Sequence, residues 1–586
     1  MAATKNPKKR HSRREPKPRK PSAGGPPAPR AVADESVAQA QAPAAVTSPK
    51  VKSSRVTERI RAVAKRSEAI DTRRALRRMA RLIAARPRGV HRIAVLESEI
   101  AACLDRAEAG SRGRGEAWLE LEAATWALAW LARSRRAGGS AGGLLEQLVR
   151  RGHVAVTTLE GRDTRPAVFV ITLASLFPDI EACAELGGHA VLAIEEEIDR
   201  LVSESGLLRI SGSPAVLERV GRWALCREAL PGKGWSEATE QRFLASIGGA
   251  LRLLGDQGRM LVGIGRMPGF FSEPILQAAR SGGAAAPLRR TARVLESGGV
   301  PGKRLLPRDL HDGAAAAAVL RSGWGRGALR VAIEYRDTTP RIEIAAGDRL
   351  LVDGPWHWSL TSGDETLEAE GPWTFSGLES DRKSTFFEIA APLAGGLRLE
   401  RTIVILPTER VVVVADAITR TAEARVAREL RLTSRLPLAP GLDVEQPEET
   451  RESLLFDTGM RAMALPLGLG EWKGSGGGEF TAGPVGLTLE QHGVGRLHTA
   501  VWLDCDPRRA GGQVTWRQLT VADSRQNLPR SMAAGYRVQV GHDQWLLYRA
   551  LDEPRNRTLL GCNVSCEFLL GRIGRSGAVK RLVEIQ

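Results

Sequence analysis

Few residues in this 586-residue chain are placed to do chemistry. His357 stands between Trp356 and Trp358, and His189 opens a helical stretch; each carries an imidazole able to move a proton near neutral pH. The chain has three tyrosines, Tyr335, Tyr536 and Tyr548, so a phenolic acid or base is open to its C-terminal half alone. Tyr335 is flanked by Glu334 and Arg336, and strand alternation directs it away from the face carrying those two. The planar fork of Arg336 suits a carboxylate or a sulfate. Six cysteines are scattered, and the pair Cys562 and Cys566 has no second pair to complete a zinc set, so no metal is expected. Gly255-Asp-Gln-Gly258 and Gly263-Ile-Gly265 do not precede Lys-Ser/Thr, so they form no phosphate loop, and no cofactor is expected.

These residues must be positioned by two kinds of element. From about residue 310 onward, strand-length apolar runs alternate with turn signals: 328–333, 341–344, 350–352, 386–389, 397–406 and 411–415. Further runs follow at 425–433, 497–504, 514–521, 536–540, 545–551, 559–570 and 579–585. Glycine and proline at Gly347, Gly354-Pro355, Gly371-Pro372 and Gly395-Gly396 predict hairpins in antiparallel sheets. In the run from Leu397, Leu397, Leu399, Ile403 and Ile405 share one face, and Arg398, Glu400 and Thr402 share the other, the pattern of a half-buried strand. Val411 to Val414 lacks alternation and is expected to be buried on both faces. Gly474-Ser-Gly-Gly-Gly478 predicts a flexible loop tip.

Before residue 300 the period is helical. A stripe over 56–85 places Ile60, Val63, Ile70, Leu76, Met79 and Ile83 opposite a row of arginines and predicts packing on its own domain. Helices are then expected at 92–107, 116–133, 143–151, 165–176, 190–204, 214–229, 237–254 and 273–279. Ser213 reads as an N-cap with Pro214 at the first helical position. Gly187-Gly188, Gly232-Lys-Gly234, Asp256-Gln-Gly258 and Gly282-Gly283 read as stops. Residues 280–307 read as a glycine-rich linker between the layers.

One string carries a resemblance: the turn at Gly347, Leu350-Leu-Val-Asp-Gly354, the Trp356–Trp358 loop, Glu388, Leu397-Arg-Leu-Glu-Arg401 leading to Val411 through Asp416, and Glu567-Phe568. It resembles the C-terminal β-sandwich of the heparinase II/III-like polysaccharide lyases. The resemblance implies that the helical series is an α/α-toroid-like domain. The expected fold is α+β and multidomain: a disordered basic tail over 1–55, a helical toroid-like domain over 56–300 and a large antiparallel β-sandwich over 308–586. Such lyases eliminate across a uronate with a toroid tyrosine and polar residue and a His-x-His-x-Asp-like signature on a sandwich strand. Here the signature positions read Glu334, Arg336 and Thr338, and no tyrosine precedes Tyr335. The resemblance therefore implies an acidic-polysaccharide protein in which binding, through Glu334, Arg336 and the loop residue Trp235, outweighs turnover. His357 is the remaining catalytic candidate. Two other readings stay open: an active lyase using other residues, and a non-enzymatic scaffold tethered by a basic tail to nucleic acid or an anionic surface.

The formal net charge of +18 arises entirely before His91, so the rest of the chain is neutral overall. Deleting residues 1–50 is accordingly expected to abolish salt-sensitive binding to DNA or anionic lipid. Nothing approaches the roughly 20 apolar residues of a membrane span, and the lysine- and proline-rich start lacks the apolar core of a secretory signal, so the default expectation is cytoplasmic.

Overall fold

The structure, a computed structural model, describes residues 52–85, 90–109, 114–132, 140–230, 234–261, 271–281, 283–299, 302, 304–420, 428–509 and 512–586. Nearly all of the expected tail, residues 1–51, lies outside the described residues. Eleven α-helices lie before Gly298 and antiparallel sheets follow from Leu310, among the described residues.

The amphipathic stripe over 56–85 folds as two helices, Ser53–Arg66 and Ile70–Ala84. The break is imposed from outside, by a carboxylate on the helix Arg114–Leu131. Glu116 accepts the N–H groups of Glu68 (2.7 Å) and Ala69 (3.2 Å) and the Ser67 hydroxyl (2.7 Å), supplying the cap that the second helix lacks. Val56, Ile60, Val63, Leu76, Met79 and Ile83 enter the helical core, as the stripe predicts. Ile70 leaves it and is 62% exposed.

Two glycine signals have a different cause from the one expected. The helix Glu181–Leu201 runs straight through Gly187-Gly188. A Cβ at Gly187 would lie 2.5 Å from the Cβ of Ala174, so the glycine permits close packing on the helix Ala167–Leu176. Gly187→Val is expected to cost about 1–3 kcal/mol through overpacking; a denaturation midpoint equal to that of the parent would refute the close-approach account. The expected linker contains the helix Ala286–Ser297, with Leu288, Ala292 and Leu295 buried and Gly298 ending it at φ +61°. The short expectation at 143–151 is overtaken by a 21-residue helix, Ser140–Glu160.

The β half is layered. Its first sheet contains Leu310–Asp312, Ala317–Arg321, Leu329–Glu334, Arg341–Ala346 and Arg349–Pro355, in that order. Alternation divides it between two cores. Ala317, Val319 and Ala332 pack with the helices, whereas Ala318, Leu320, Val331 and Ile333 pack inside the sandwich. An eight-stranded sheet follows, ordered Asp443–Glu445, Ser453–Phe456, Met460–Pro466, Leu497–Asp504, Val411–Arg420, Leu397–Leu406, Thr385–Leu393 and Thr374–Ser380. Its other face packs on the C-terminal sheet, Val514–Leu519, Ala533–Val540, Asp543–Ala550, Phe568–Ile573 and Val579–Ile585.

Val411 to Val414 is buried on both faces as expected: Val412 and Val414 belong to one core, Val411 and Val413 to the other. The neighbouring strand Leu397–Leu406 departs from expectation. Glu400 and Thr402 are buried because the C-terminal sheet covers that face and brings Arg549 to it. The run 559–570 divides near Cys566, with Cys562–Val564 joining a small separate sheet. The glycine loop before Gly478 is gathered around buried Arg451, which donates to the carbonyls of Gly470 (2.9 Å), Lys473 (2.9 Å) and Ser475 (2.8 Å).

Candidate functional site

At the seam between helices and sheet, two glutamates from neighbouring strands reach the start of the helix Ser213–Ala229. Glu334 Oε1 accepts the N–H of Gly212 at 2.8 Å. Glu343 accepts the N–H of Ser213 at 2.9 Å and its hydroxyl at 2.5 Å. Ser213 is thus the first helical residue, and the cap expected of it comes from the sheet, where carboxylates also meet the positive end of the helix dipole. Buried Arg330 balances Glu343 at 3.2 Å and donates to the Leu253 carbonyl at 2.9 Å. Burial raises the Glu334 carboxyl above its ordinary range, against the lowering effect of the Gly212 N–H. Arg336 donates to the carbonyls of Arg209 and Ala315, each at 2.9 Å. The carbonyl of Thr338 accepts from the Trp373 indole at 2.8 Å. Glu334, Arg336 and Thr338 are therefore all engaged in joining parts of the fold.

The other two sequence candidates lie elsewhere. His357 begins the strand His357–Ser362, in a different sheet, with an exposed side chain. Beneath it Trp356 is buried, with the Arg401 guanidinium 4.2 Å from its ring centroid. Trp235, expected as an open loop aromatic, is 8% exposed and packs edge-on against Phe243 with centroids 5.0 Å apart.

A pairing that sequence reasoning missed joins His311 Nε2 to the Tyr335 hydroxyl at 2.7 Å. The imidazole also stacks on Phe375 at 3.8 Å. Burial lowers the His311 pKa and raises the Tyr335 phenol to about 12, so both are neutral near pH 7. Register carries Tyr335 to the sandwich side of the sheet, opposite Glu334, as its alternation predicts. The pairing spans 24 positions, and no local pattern signals it.

One group of three carboxylates, Glu388, Glu400 and Glu567, brings its oxygens within 4.8 Å of one another. The Arg549 guanidinium occupies the cation position there, at 3.0, 2.6 and 2.8 Å from the three.

An open cavity of about 480 Å³ lies in the helical layer, between the end of the helix Ser140–Glu160 and the helix Glu181–Leu201. His189, Arg162, Arg200, Glu160, Glu196 and Leu192 line it. His189 is in mid-helix, not at a helix start. Glu197 forms part of the lining but is only 2% exposed and already satisfied, accepting from Thr164 (2.8 Å), Arg219 (2.7 Å) and the Trp223 indole (2.8 Å). Arg162 adopts φ +65° after the helix end, a left-handed conformation that costs a non-glycine residue about 1–2 kcal/mol.

No protein-family model matches this sequence, and no curated protein matches it. Solved structures do match in fold. A heparinase III aligns with TM-score 0.54 and 11% identity, over 87% of this chain and 93% of its own. The heparan sulfate lyase of Pedobacter heparinus aligns with TM-score 0.52 and 11% identity, over 88% of this chain and 92% of its own. A second heparinase III structure gives 0.54 at 10% identity, over 87% and 94%. The chain therefore has a heparinase III-like fold, a helical toroid followed by β-sandwich layers.

Proposed function

We propose that this protein binds an acidic, uronate-containing polysaccharide and that its β-elimination activity is weak or absent. The observation that supports this reading is the commitment of Glu334 and Arg336 to backbone groups of the helical layer, at positions where the fold's lyases are expected to place proton-transfer and charge-neutralising groups. Elimination needs an acid and a base positioned on the substrate, and each such group contributes roughly 10²–10⁴-fold. Tyr335 is the first tyrosine in the sequence and points into the sandwich. Trp235 is buried and plays no part in the reading.

Unsaturated uronate absorbs in the ultraviolet, so elimination can be followed directly with heparan-, chondroitin- and alginate-like polymers. Turnover is expected to stay below about 1 per second, the lower end of the usual enzyme range, while binding is detectable by calorimetry. Turnover within the usual range would overturn the reading. If residual turnover exists, His357→Ala is expected to lower it by about 10²-fold or more where His357 carries the proton. An unchanged rate would leave His357 as a surface residue.

A second reading, a scaffold attached through its basic N-terminal region to an anionic partner, is favoured by the hairpin of the first two helices. Residues 52–85 hold eleven Lys and Arg against three Asp and Glu. Arg61, Lys65, Arg74, Arg77 and Arg81 are exposed. Part of the positive charge thus belongs to the folded body, which corrects the expectation for tail deletion. Removing residues 1–50 is expected to reduce the salt dependence of binding to an anionic polymer without eliminating it. Arg74→Gln, Arg77→Gln and Arg81→Gln together are expected to remove most of the remainder; an unchanged salt slope after these substitutions would exclude the hairpin.

A further inference from the structure

We infer that the hairpin of the first two helices, Ser53–Arg66 and Ile70–Ala84, is a docking face for the phosphate backbone of a double-stranded nucleic acid, bound without regard to base sequence. This assignment rests on the scaffold reading and gives its anionic partner a chemical class. Arg74, Arg77 and Arg81 follow one another at the spacing that places them on one face of the second helix, and Arg61 and Lys65 do the same on the first. All five are exposed, and none is hydrogen-bonded or ion-paired to another described residue. Their neighbours are engaged: Arg59 pairs with Glu228, Arg66 with Glu122 and Arg78 with Glu99. Some of the hairpin's cations thus fix it to the body, and the others face outward.

The surroundings of those outward cations select the partner. The apolar stripe of both helices, Val56, Ile60, Val63, Leu76, Met79 and Ile83, is buried in the helical core. Among the large apolar side chains of the hairpin only Ile70, at the start of the second helix, is exposed. A helix lying on a bilayer needs such a stripe for the acyl boundary, so a lipid surface would meet charge alone. Residues 52–85 contain no aromatic residue, so the bases of a single strand find nothing to stack on. Arginine supplies all of the outward row on the second helix, and its forked donors fit a phosphate in pairs. From Arg74 to Arg81 the row advances about 10 Å, at roughly 1.5 Å per residue. A duplex presents about six phosphates over that length, at roughly one per 1.7 Å of its axis. Because the opposite face of the hairpin is packed, its cations are held in place before a partner arrives, which favours a partner that is itself stiff and densely charged.

The test titrates the full chain with two labelled duplexes of equal length and unrelated sequence and with one of their single strands; chondroitin sulfate and phosphatidylserine vesicles are measured as competitors. Both duplexes are expected to bind with the same affinity, more tightly than the single strand and than either competitor. Arg74→Gln, Arg77→Gln and Arg81→Gln together are expected to reduce the slope of log affinity against log salt by about 2.7, three cations at about 0.9 each. The corresponding triple lysine variant, Arg74→Lys, Arg77→Lys and Arg81→Lys, is expected to keep the parent slope with weaker binding, because it retains the charge and loses the forks. A lysine variant that lost slope as the glutamine variant does, or a glutamine variant with the parent slope, would overturn the hairpin as the site. Tighter binding to the vesicles, to chondroitin sulfate or to the single strand than to the duplexes, or a marked preference for one duplex sequence, would overturn the duplex-backbone assignment and leave the scaffold reading standing. A parent that binds none of these polyanions would overturn the scaffold reading itself.

Discussion

Asp416→Ala is expected to cost about 3–5 kcal/mol, the scale seen when one partner of a buried ion pair is removed. Arg401 and Asp416 face each other across neighbouring strands at 3.0 Å, with side chains 0% and 1% exposed. Lost solvation pushes the Asp416 carboxyl up and the Arg401 guanidinium down to about 10, while each charge draws the other back toward its ionised form. Arg401 also donates to the Trp356 carbonyl at 2.5 Å and lies within 4.2 and 5.2 Å of the Trp356 and Trp373 ring centroids. Trp356 donates in turn to the Ser434 hydroxyl at 3.0 Å, tying the His357–Ser362 strand to its neighbour. An uncompensated guanidinium at the centre of this group has no solvent to turn to. Asp416→Asn keeps an acceptor for Arg401 and is expected to lose less. Arg401→Met combined with Asp416→Leu is expected to recover most of the stability, because replacing both charges removes both desolvation costs. Denaturant unfolding measures all three. A double variant as unstable as Asp416→Ala would show that the pair's hydrogen bonds and cation–π contacts, not its unbalanced charge, hold the strand.

What the sequence reveals about this fold depends on how far apart the cooperating residues are. Val411 to Val414 is readable because a four-valine run with no alternation has only one comfortable setting, between two cores. The polar face of Leu397–Leu406 misleads because Arg549, which neutralises Glu400, lies 149 residues further along. Ser213 looks like its own N-cap until Glu343 approaches from 130 residues away. Gly187 reads as a stop because nothing local distinguishes a glycine that ends a helix from one that admits Ala174. The candidate site divides in the same way. That Glu334, Arg336 and Thr338 are not histidines is visible in the sequence, whereas the use made of Glu334 and Arg336 depends on the Gly212 N–H and the Arg209 carbonyl, each more than 120 residues distant. The cavity lining is drawn from the helices Ser140–Glu160 and Glu181–Leu201 and from Arg162 and Thr164 beyond the first of them, so no local spacing marks it.

Arg549→Met is expected to be strongly destabilising at pH 7 and much less so near pH 5. Arg549 is 1% exposed and serves Glu388, Glu400 and Glu567 as a shared counter-charge. Thr402 donates to Glu388 at 2.8 Å and Thr419 to Glu400 at 3.1 Å, which leaves the arginine as the dominant counter-charge for that face of the strand. Nearby His498 cannot replace it: burial, and then Arg549 itself, lower its pKa to about 3, so it is neutral. Burial already raises the Glu388 carboxyl above its ordinary value, and Arg549 is the largest influence pulling it back. Without the arginine it must rise further. A carboxyl whose native pKa exceeds its unfolded one binds its proton more tightly when folded, so its stabilising contribution is present at low pH and is lost as pH rises through the native value. The gap in melting temperature between parent and variant should therefore narrow on acidification. At pH 7 the loss is expected to be about 3–5 kcal/mol, the cost of leaving buried charge unpaired. Adding Glu388→Gln to Arg549→Met should restore part of it at pH 7 by removing one of the stranded charges. A gap that stayed constant or widened between pH 7 and pH 5 would show that Arg549 acts through packing of its side chain, since loss of packing has no proton linkage.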